Sequence, residues 1–219
     1  MRLKGVPFML NVKEVDLTKV EGDKRFAILS AFLTVRPIIQ LKADDDDSIV
    51  RIFELCQLLS YPFKESVGED GVTTFEIRRK KDLPKDLPSS MADVNVPFKP
   101  EKIASKLGTP TILTSFIPEL VSVRRVAPKS YMFKIKTYGE IPFVVYKVKT
   151  PTPRYIIRYF GYDTKLFGQF MLRIEFIITK AKGGSRVIMT ETYKRAFGAE
   201  GAIRKHLSLF RDKMSSVLF

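Results

Sequence analysis

The last stretch of the chain, residues 198–219, constrains the fold most. Apolar side chains recur there at Ile203, Leu207, Phe210, Met214 and Val217 or Leu218, while Arg204, Lys205, Arg211 and Lys213 occupy the intervening faces. Steps of three and four place the apolar set on one stripe of an α-helix. A helix of about twenty residues is roughly 30 Å long, so the stripe needs a surface of similar length. The segments ahead of it alternate in strand fashion. The expected architecture is α+β: a long C-terminal helix lying across a curved antiparallel sheet, with either packed core or an apolar pocket between them.

Between residues 91 and 198 the pattern predicts a first strand over 93–98, a short helix over 99–107 that opens near Pro100, and a second short helix or irregular link over 109–117. Six strands then follow, over 120–126, 131–136, 143–149, 154–160, 170–180 and 186–194. Proline is favoured at the first helical position, and Gly183-Gly184 is a hairpin signal. Alternation assigns an inward apolar face to Tyr131, Phe133 and Ile135; to Val144, Tyr146 and Val148; to Tyr155, Ile157 and Tyr159; and to Phe170, Leu172, Ile174 and Phe176. Lys134, Lys136, Lys147, Lys149, Arg154, Arg158, Arg173 and Glu175 then belong to a solvent face.

The first ninety residues read differently. Segments 6–17 and 25–41 are expected as two strands around a Glu-Gly-Asp turn, with Pro37 at an edge or bulge. Asp44 to Asp47 open a helix carrying Ile49, Ile52, Phe53, Cys56 and Leu59 at helical spacing, and 72–80 forms another strand. The expected order is ββαβ for residues 1–80. The two Leu-Pro pairs of KKDLPKDLPSS make 81–90 a linker, and a second domain covers 91–219.

Charge separates the same two parts. Of 38 Lys+Arg and 24 Asp+Glu, residues 1–90 hold 15 and 15. The remainder, 38 − 15 = 23 basic and 24 − 15 = 9 acidic, gives residues 91–219 the whole net charge of +14. An anionic partner is therefore expected at the second part, an anionic membrane surface among the candidates. No helix-turn-helix, zinc or RNP-type pattern accompanies the charge, which argues against nucleic acid. Hydrophobic residues at 45% exclude wholesale disorder. No apolar run is long enough to span a bilayer, and the N-terminus lacks a signal-peptide cleavage pattern. The single cysteine, Cys56, fits a reducing cytoplasm, and the scarcity of Asn and Gln beside abundant Lys and Glu leans towards a thermophile.

The run FKPEKIASKLGTPTILTSFIPELVSVRRVAPKSYMFKIK resembles the opening of helix-grip proteins of the START/Bet v 1-like superfamily. That opening is a strand, a proline-led helix start, a link with a further proline, and a strand after a short turn. The stretch from Phe210 to Phe219, after TETYKRAFG, is similar to the superfamily's closing helix. The likeness covers about residues 91–219 and looks closest to small archaeal helix-grip proteins that carry fatty acids, and to subunit-G-like proteins associated with carbon monoxide dehydrogenase. It leaves residues 1–90 as an added module or a degenerate second copy of the fold.

The resemblance implies a cavity between sheet and helix for a hydrophobic or amphipathic ligand such as a fatty acid, isoprenoid or quinone-like molecule. The residues expected to line it are Phe133, Ile135, Tyr146, Tyr155, Ile157, Tyr159, Phe170, Leu172, Ile174, Met189, Ile203, Leu207, Phe210 and Met214. The tyrosines carry part of this argument, because buried hydroxyls need partners and a wet or occupied pocket supplies them. No cofactor is expected. The alternatives are a cyclase- or hydrolase-like enzyme using the same cavity, and a basic nucleic-acid-binding protein.

Catalytic and metal chemistry finds little support in the sequence. Glu191 is in phase with Val187, Met189 and Tyr193, so it either points inward as an acid or faces out beside a strand lysine. His206, the only histidine, is expected at the edge of the helical stripe, where it builds neither a zinc site nor a catalytic triad. Asp44 to Asp47 are read as a helix start rather than a magnesium site.

Overall fold

The computed structural model describes residues 12–82, 84–150, 154–165, 168–194 and 199–218. The chain divides into two compact units, Met1–Pro84 and Lys85–Phe219.

In the first unit the elements are β1 (Val12–Asp16), α1 (Lys24–Phe32), β2 (Ile38–Ala43), α2 (Asp46–Leu58), β3 (Phe63–Val67) and β4 (Thr73–Arg78). The sheet order is β1-β2-β4-β3, with β1 parallel to β2 and the other pairs antiparallel. The order is thus βαβαββ, where the sequence reading gave ββαβ. Segment 25–41, expected as one strand, is α1 followed by β2. Asp23 starts the helix by accepting a hydrogen bond from the Arg25 N–H, and Ile28, Leu29, Ala31 and Phe32 are the buried residues, a helical spacing. β3 was not anticipated. The helix at Asp44 to Asp47 is α2, capped by Asp45, whose carboxylate accepts from Ser48 N–H at 2.8 Å. Phe53, assigned to its buried stripe, is 40% exposed. The expected strand positions before residue 12 lie outside the described residues.

The second unit runs β5 (Ser89–Val96), α3 (Pro100–Leu107), a 3-10 helix (Pro110–Ser115), then β6 (Leu120–Ala127), β7 (Ser130–Ile135), β8 (Gly139–Lys149), β9 (Arg154–Lys165), β10 (Gly168–Ala181) and β11 (Gly184–Lys194), and closes on α4 (Ala199–Val217). The seven strands form one antiparallel sheet in the order β5-β11-β10-β9-β8-β7-β6. Six of them follow one another as a meander, and the first strand joins the last. Gly183, at φ +76°, makes the tight β10–β11 turn that brings β11 back beside β10. α4 packs across β5 and β11 and against the 3-10 helix, while α3 packs on β9 and β10. This is the helix-grip arrangement. The Pro151/Pro153 link and the two end residues of the expected C-terminal helix, 198 and 219, lie outside the described residues.

The core lies between the sheet's inner face and the helices. It contains Phe133 and Ile135 of β7, Tyr155, Ile157 and Tyr159 of β9, Phe170, Leu172, Ile174 and Phe176 of β10, Met189 of β11, and Ile203, Leu207, Phe210 and Met214 of α4. On β8 the phase is the reverse of that expected. Ile141, Phe143 and Val145 belong to the core, and Tyr146 pairs with Arg158 in the other phase. The β8 sequence is apolar in both phases, so alternation could not decide between them. Gly161 does. It pairs with Phe143, and a Cβ there would stand 2.2 Å from the Phe143 ring, so the bare glycine provides the inner-face space that the ring fills. Phe143 also stacks on Phe133 at 4.0 Å between centroids and 11° between planes.

The same reversal moves Lys147 and Lys149 off the expected solvent face. They pair with Ile157 and Tyr155 and sit, exposed, at the end of the inner face. A Cβ at Gly108, just after α3, would lie 3.5 Å from Lys147 Cδ. Lys149 Nζ lies 5.7 Å from the centre of the Tyr155 ring. Long lysine stems cover apolar surface while their ammonium groups stay in water.

Candidate functional site

Three titratable side chains from three different elements meet beneath α4. Glu191 belongs to β11, in the inward row of Val187, Met189 and Tyr193. His206 stands on the buried stripe of α4 with Ile203, Leu207 and Phe210. Glu119 lies one residue ahead of β6. His206 Nδ1 is 2.7 Å from Glu191 Oε1, and its Nε2 is 2.7 Å from Glu119 Oε2. His206 and Glu191 are fully buried, whereas the Glu119 side chain is 22% exposed. The sequence expectation of a helix-edge histidine is overturned: His206 faces the core, and both ring nitrogens are engaged. Glu191 takes the inward of its two alternatives.

Two hydrogen bonds joining an imidazole to two carboxylates need two protons. Either both reside on His206, as an imidazolium between two carboxylates, or one has moved to a glutamate. In both forms the three groups together carry one negative charge. Burial raises the Glu191 pKa above the ordinary carboxylate value, against the opposing pull of His206. For His206, burial acts downward, but the hydrogen bonds and charges of Glu191 and then Glu119 outweigh it and hold its pKa up. The cluster therefore retains its shared protons strongly. Glu191 Oε2 is buried and has no hydrogen-bond partner among the described residues.

Around this polar cluster the interior is aromatic. Tyr193 lies 5.9 Å from His206 and 5.5 Å from Phe170, measured between ring centres, and Tyr138 lies 4.9 Å from Phe170. Phe210 of α4 meets Phe116 edge-on at 5.5 Å and Phe176 at 5.9 Å. Two of the inward tyrosine hydroxyls have protein partners. Tyr159 donates to the Leu107 carbonyl at the end of α3, and Tyr155 donates to Glu101 Oε1 at 3.3 Å. Burial accordingly pushes the Tyr159 hydroxyl pKa well up.

Of the fourteen residues expected to line a cavity, thirteen share this one interior, and Tyr146 is on the other face. Sequence reasoning missed Glu119 altogether, together with Asp163, which pairs with the core residue Phe170 and is 2% exposed. A signal existed for His206. It is three residues after Ile203 and four before Phe210, so it fits the stripe as well as Leu207 does. No such signal marks Glu119, which lies in a turn.

Among the described residues no group of three His, Cys, Asp or Glu side chains is arranged to hold a metal ion. The two nitrogens of His206 point in opposite directions, so one ion could not bind all three cluster members. No described helix is long and apolar enough to cross a membrane. The first unit carries surface recesses. One of about 410 Å³ is lined by Cys56, Gln57, Ser60, Tyr61, Pro62, Phe63 and Lys80.

No protein family's sequence profile matches the chain. No curated protein sequence matches it either. Among solved structures it is similar to a STAR-related lipid transfer protein (fragment 25–204) from Xanthomonas axonopodis, at 9% identity and a TM-score of 0.41, covering 72% of this chain and 92% of that one. It is similar to Ara h 8.0201 at 12% identity and a TM-score of 0.38, covering 60% and 93%. It is also similar to a hypothetical protein from Helicobacter pylori at 9% identity and a TM-score of 0.43, covering 61% and 95%. The strand order and the placement of α4 across β5 and β11 define the helix-grip fold.

Proposed function

We propose that the second unit binds an apolar or amphipathic molecule between its sheet and α4, as a binding or carrier protein. The observation that carries this reading is Glu191 Oε2, a buried acceptor without a partner in an interior otherwise built of aromatic and aliphatic side chains. Leaving such a group unsatisfied costs about 1–3 kcal/mol, a cost that a bound polar group removes. Ligand pockets combine these features: apolar walls and a few polar atoms that orient the guest.

Entry requires some aromatic contacts to part. Each aromatic pair contributes about 0.5–1.5 kcal/mol beyond area burial, whereas each methylene of a guest contributes about 0.8 kcal/mol on burial. An acyl or prenyl chain of about ten carbons outweighs the loss of several ring contacts. The exposed basic residues of this unit supply long-range attraction for an anionic surface from which such a molecule is collected. Fatty acids, isoprenoids and quinone-like molecules all meet the apolar requirement.

The test is native mass spectrometry and solvent extraction of protein purified without detergent, followed by titration with N-phenyl-1-naphthylamine. A co-purifying apolar molecule, or saturable probe binding reduced by Phe176→Trp, is the expected result. A protein that carries nothing and shows no saturable binding sinks the reading.

One observation favours a second reading. A buried carboxylate with a raised pKa beside an imidazole is the kind of group that moves protons in catalysis, and Glu119 links the pair to solvent. Under this reading the same interior performs acid/base chemistry, with Glu191 transferring the proton. Turnover lost in Glu191→Gln while ligand binding persists would distinguish it from simple carriage.

A further inference from the structure

Resting on the binding reading above, we propose that the guest meets Glu191 with a hydrogen-bond-donating head group, a hydroxyl or a protonated amine, and that a carboxylate head group is disfavoured there. Glu191 Oε1 is already engaged with His206, so Oε2 is the atom presented to a guest, and it accepts whether the shared proton rests on His206 or on Oε1. The proton count of the cluster leads the same way. Glu119, His206 and Glu191 together carry one negative charge in either protonation form, so a second carboxylate brought to Oε2 would meet like charge at short range in a poorly solvated interior.

The rest of the interior does not offset this. The buried polar side chains described in the second unit are Asp163, Ser185, Glu191, Thr192 and His206, with no lysine or arginine among them. Asp163 adds a further carboxylate on the inner face. The basic residues in the inner-face phase of β8, Lys147 and Lys149, are exposed at the α3 end of the sheet, beside Tyr155 and Gly108 rather than beneath α4. The positive net charge of the unit acts from the surface and is screened over about 8 Å at physiological salt. It affects the approach of a guest more than the contact at Glu191.

The experiment compares three probes with one ten-carbon chain, decanol, decylamine and decanoate, by calorimetric titration into the full chain at neutral pH and physiological salt. Decanol and decylamine are expected to bind at least about tenfold more tightly than decanoate, because a site built around a buried acceptor penalises a group that cannot donate. In Glu191→Gln, whose fold is checked by circular dichroism, decanoate is expected to gain and the ratio to shrink. If none of the three binds, the binding reading itself fails. If decanoate binds as tightly as the other two, the head-group inference is overturned while the binding reading stands. Loss of that decanoate binding in Lys147→Ala would move the polar end to the α3 side. The wild-type series decides the question even if the Glu191 variant does not fold.

Discussion

His206 Nδ1 of α4 lies 2.7 Å from Glu191 Oε1 of β11, and both side chains are fully buried. This contact ties the closing helix to the sheet, and the His206–Glu119 bond ties the same helix to the turn before β6. Removing one partner of such a pair leaves a buried charge uncompensated and typically costs about 3–5 kcal/mol, whereas replacing both by apolar groups is often close to neutral. His206→Leu is therefore expected to destabilise the protein strongly, and Glu191→Met/His206→Leu to recover much of the loss. Urea denaturation of the two single variants and the double variant checks this. Purely additive losses would contradict it.

The pH dependence follows from the same cluster. The pKa of His206 is raised in the folded protein, so its contribution is fully present below the ordinary value of 6.5 and is lost as pH rises through the folded value. The raised Glu191 acts with the same sign, because the unfolded chain ionises this group first, from 4.5 upward. Asp16, Asp23 and Asp45 of the first unit have lowered values and act oppositely, losing their contribution as pH falls through the acid range. Thermal unfolding of the second unit should therefore move to lower temperature as pH rises above 6.5, and His206→Gln should flatten that trend. An unchanged slope in the variant would assign the trend to other groups.

Gly161 is held to glycine by the ring it accommodates. With a Cβ 2.2 Å from Phe143 Cε2, Gly161→Ala forces the ring or the strand to move, at an expected cost of about 1–3 kcal/mol. Trimming the ring should relieve the clash, so Gly161→Ala added to Phe143→Leu should cost less than Gly161→Ala alone. Chemical denaturation of the four forms measures the coupling.

Cys56 is 1% exposed, and burial raises its thiol pKa to about 12. The thiolate is the reactive form, so iodoacetamide should leave the native protein almost unlabelled and modify it readily in guanidinium. The labelling rate in native buffer then reports opening of the first unit, read by mass spectrometry. Rapid native labelling would mean that α2 opens far more often than its packing implies.

Much of the second unit was legible in the sequence because periodicity and punctuation agreed. The α4 stripe, Pro100 at the start of α3 and the Gly183-Gly184 turn each gave a single local answer. Local patterns failed where two answers were equally apolar. β8 reads inward in either phase, and RFAILSAF of α1 satisfies a buried strand as readily as a buried helix. A partner elsewhere in the chain settled β8: Gly161 is apposed to Phe143 only after β8 and β9 have paired.

The sequence by itself determined the helix-grip order of elements, the separation of charge between the two parts, and the inward faces of β7, β9 and β10 but not of β8. These follow from spacing along the chain, which any local stretch records. Only the tertiary structure decided that Glu119, Glu191 and His206 form one site, because residues 87 positions apart in the chain are brought within 2.7 Å across a turn, a strand and a helix. Hydrogen bonding between distant groups leaves no period in a sequence; it exists only once the sheet has paired and α4 has closed over it.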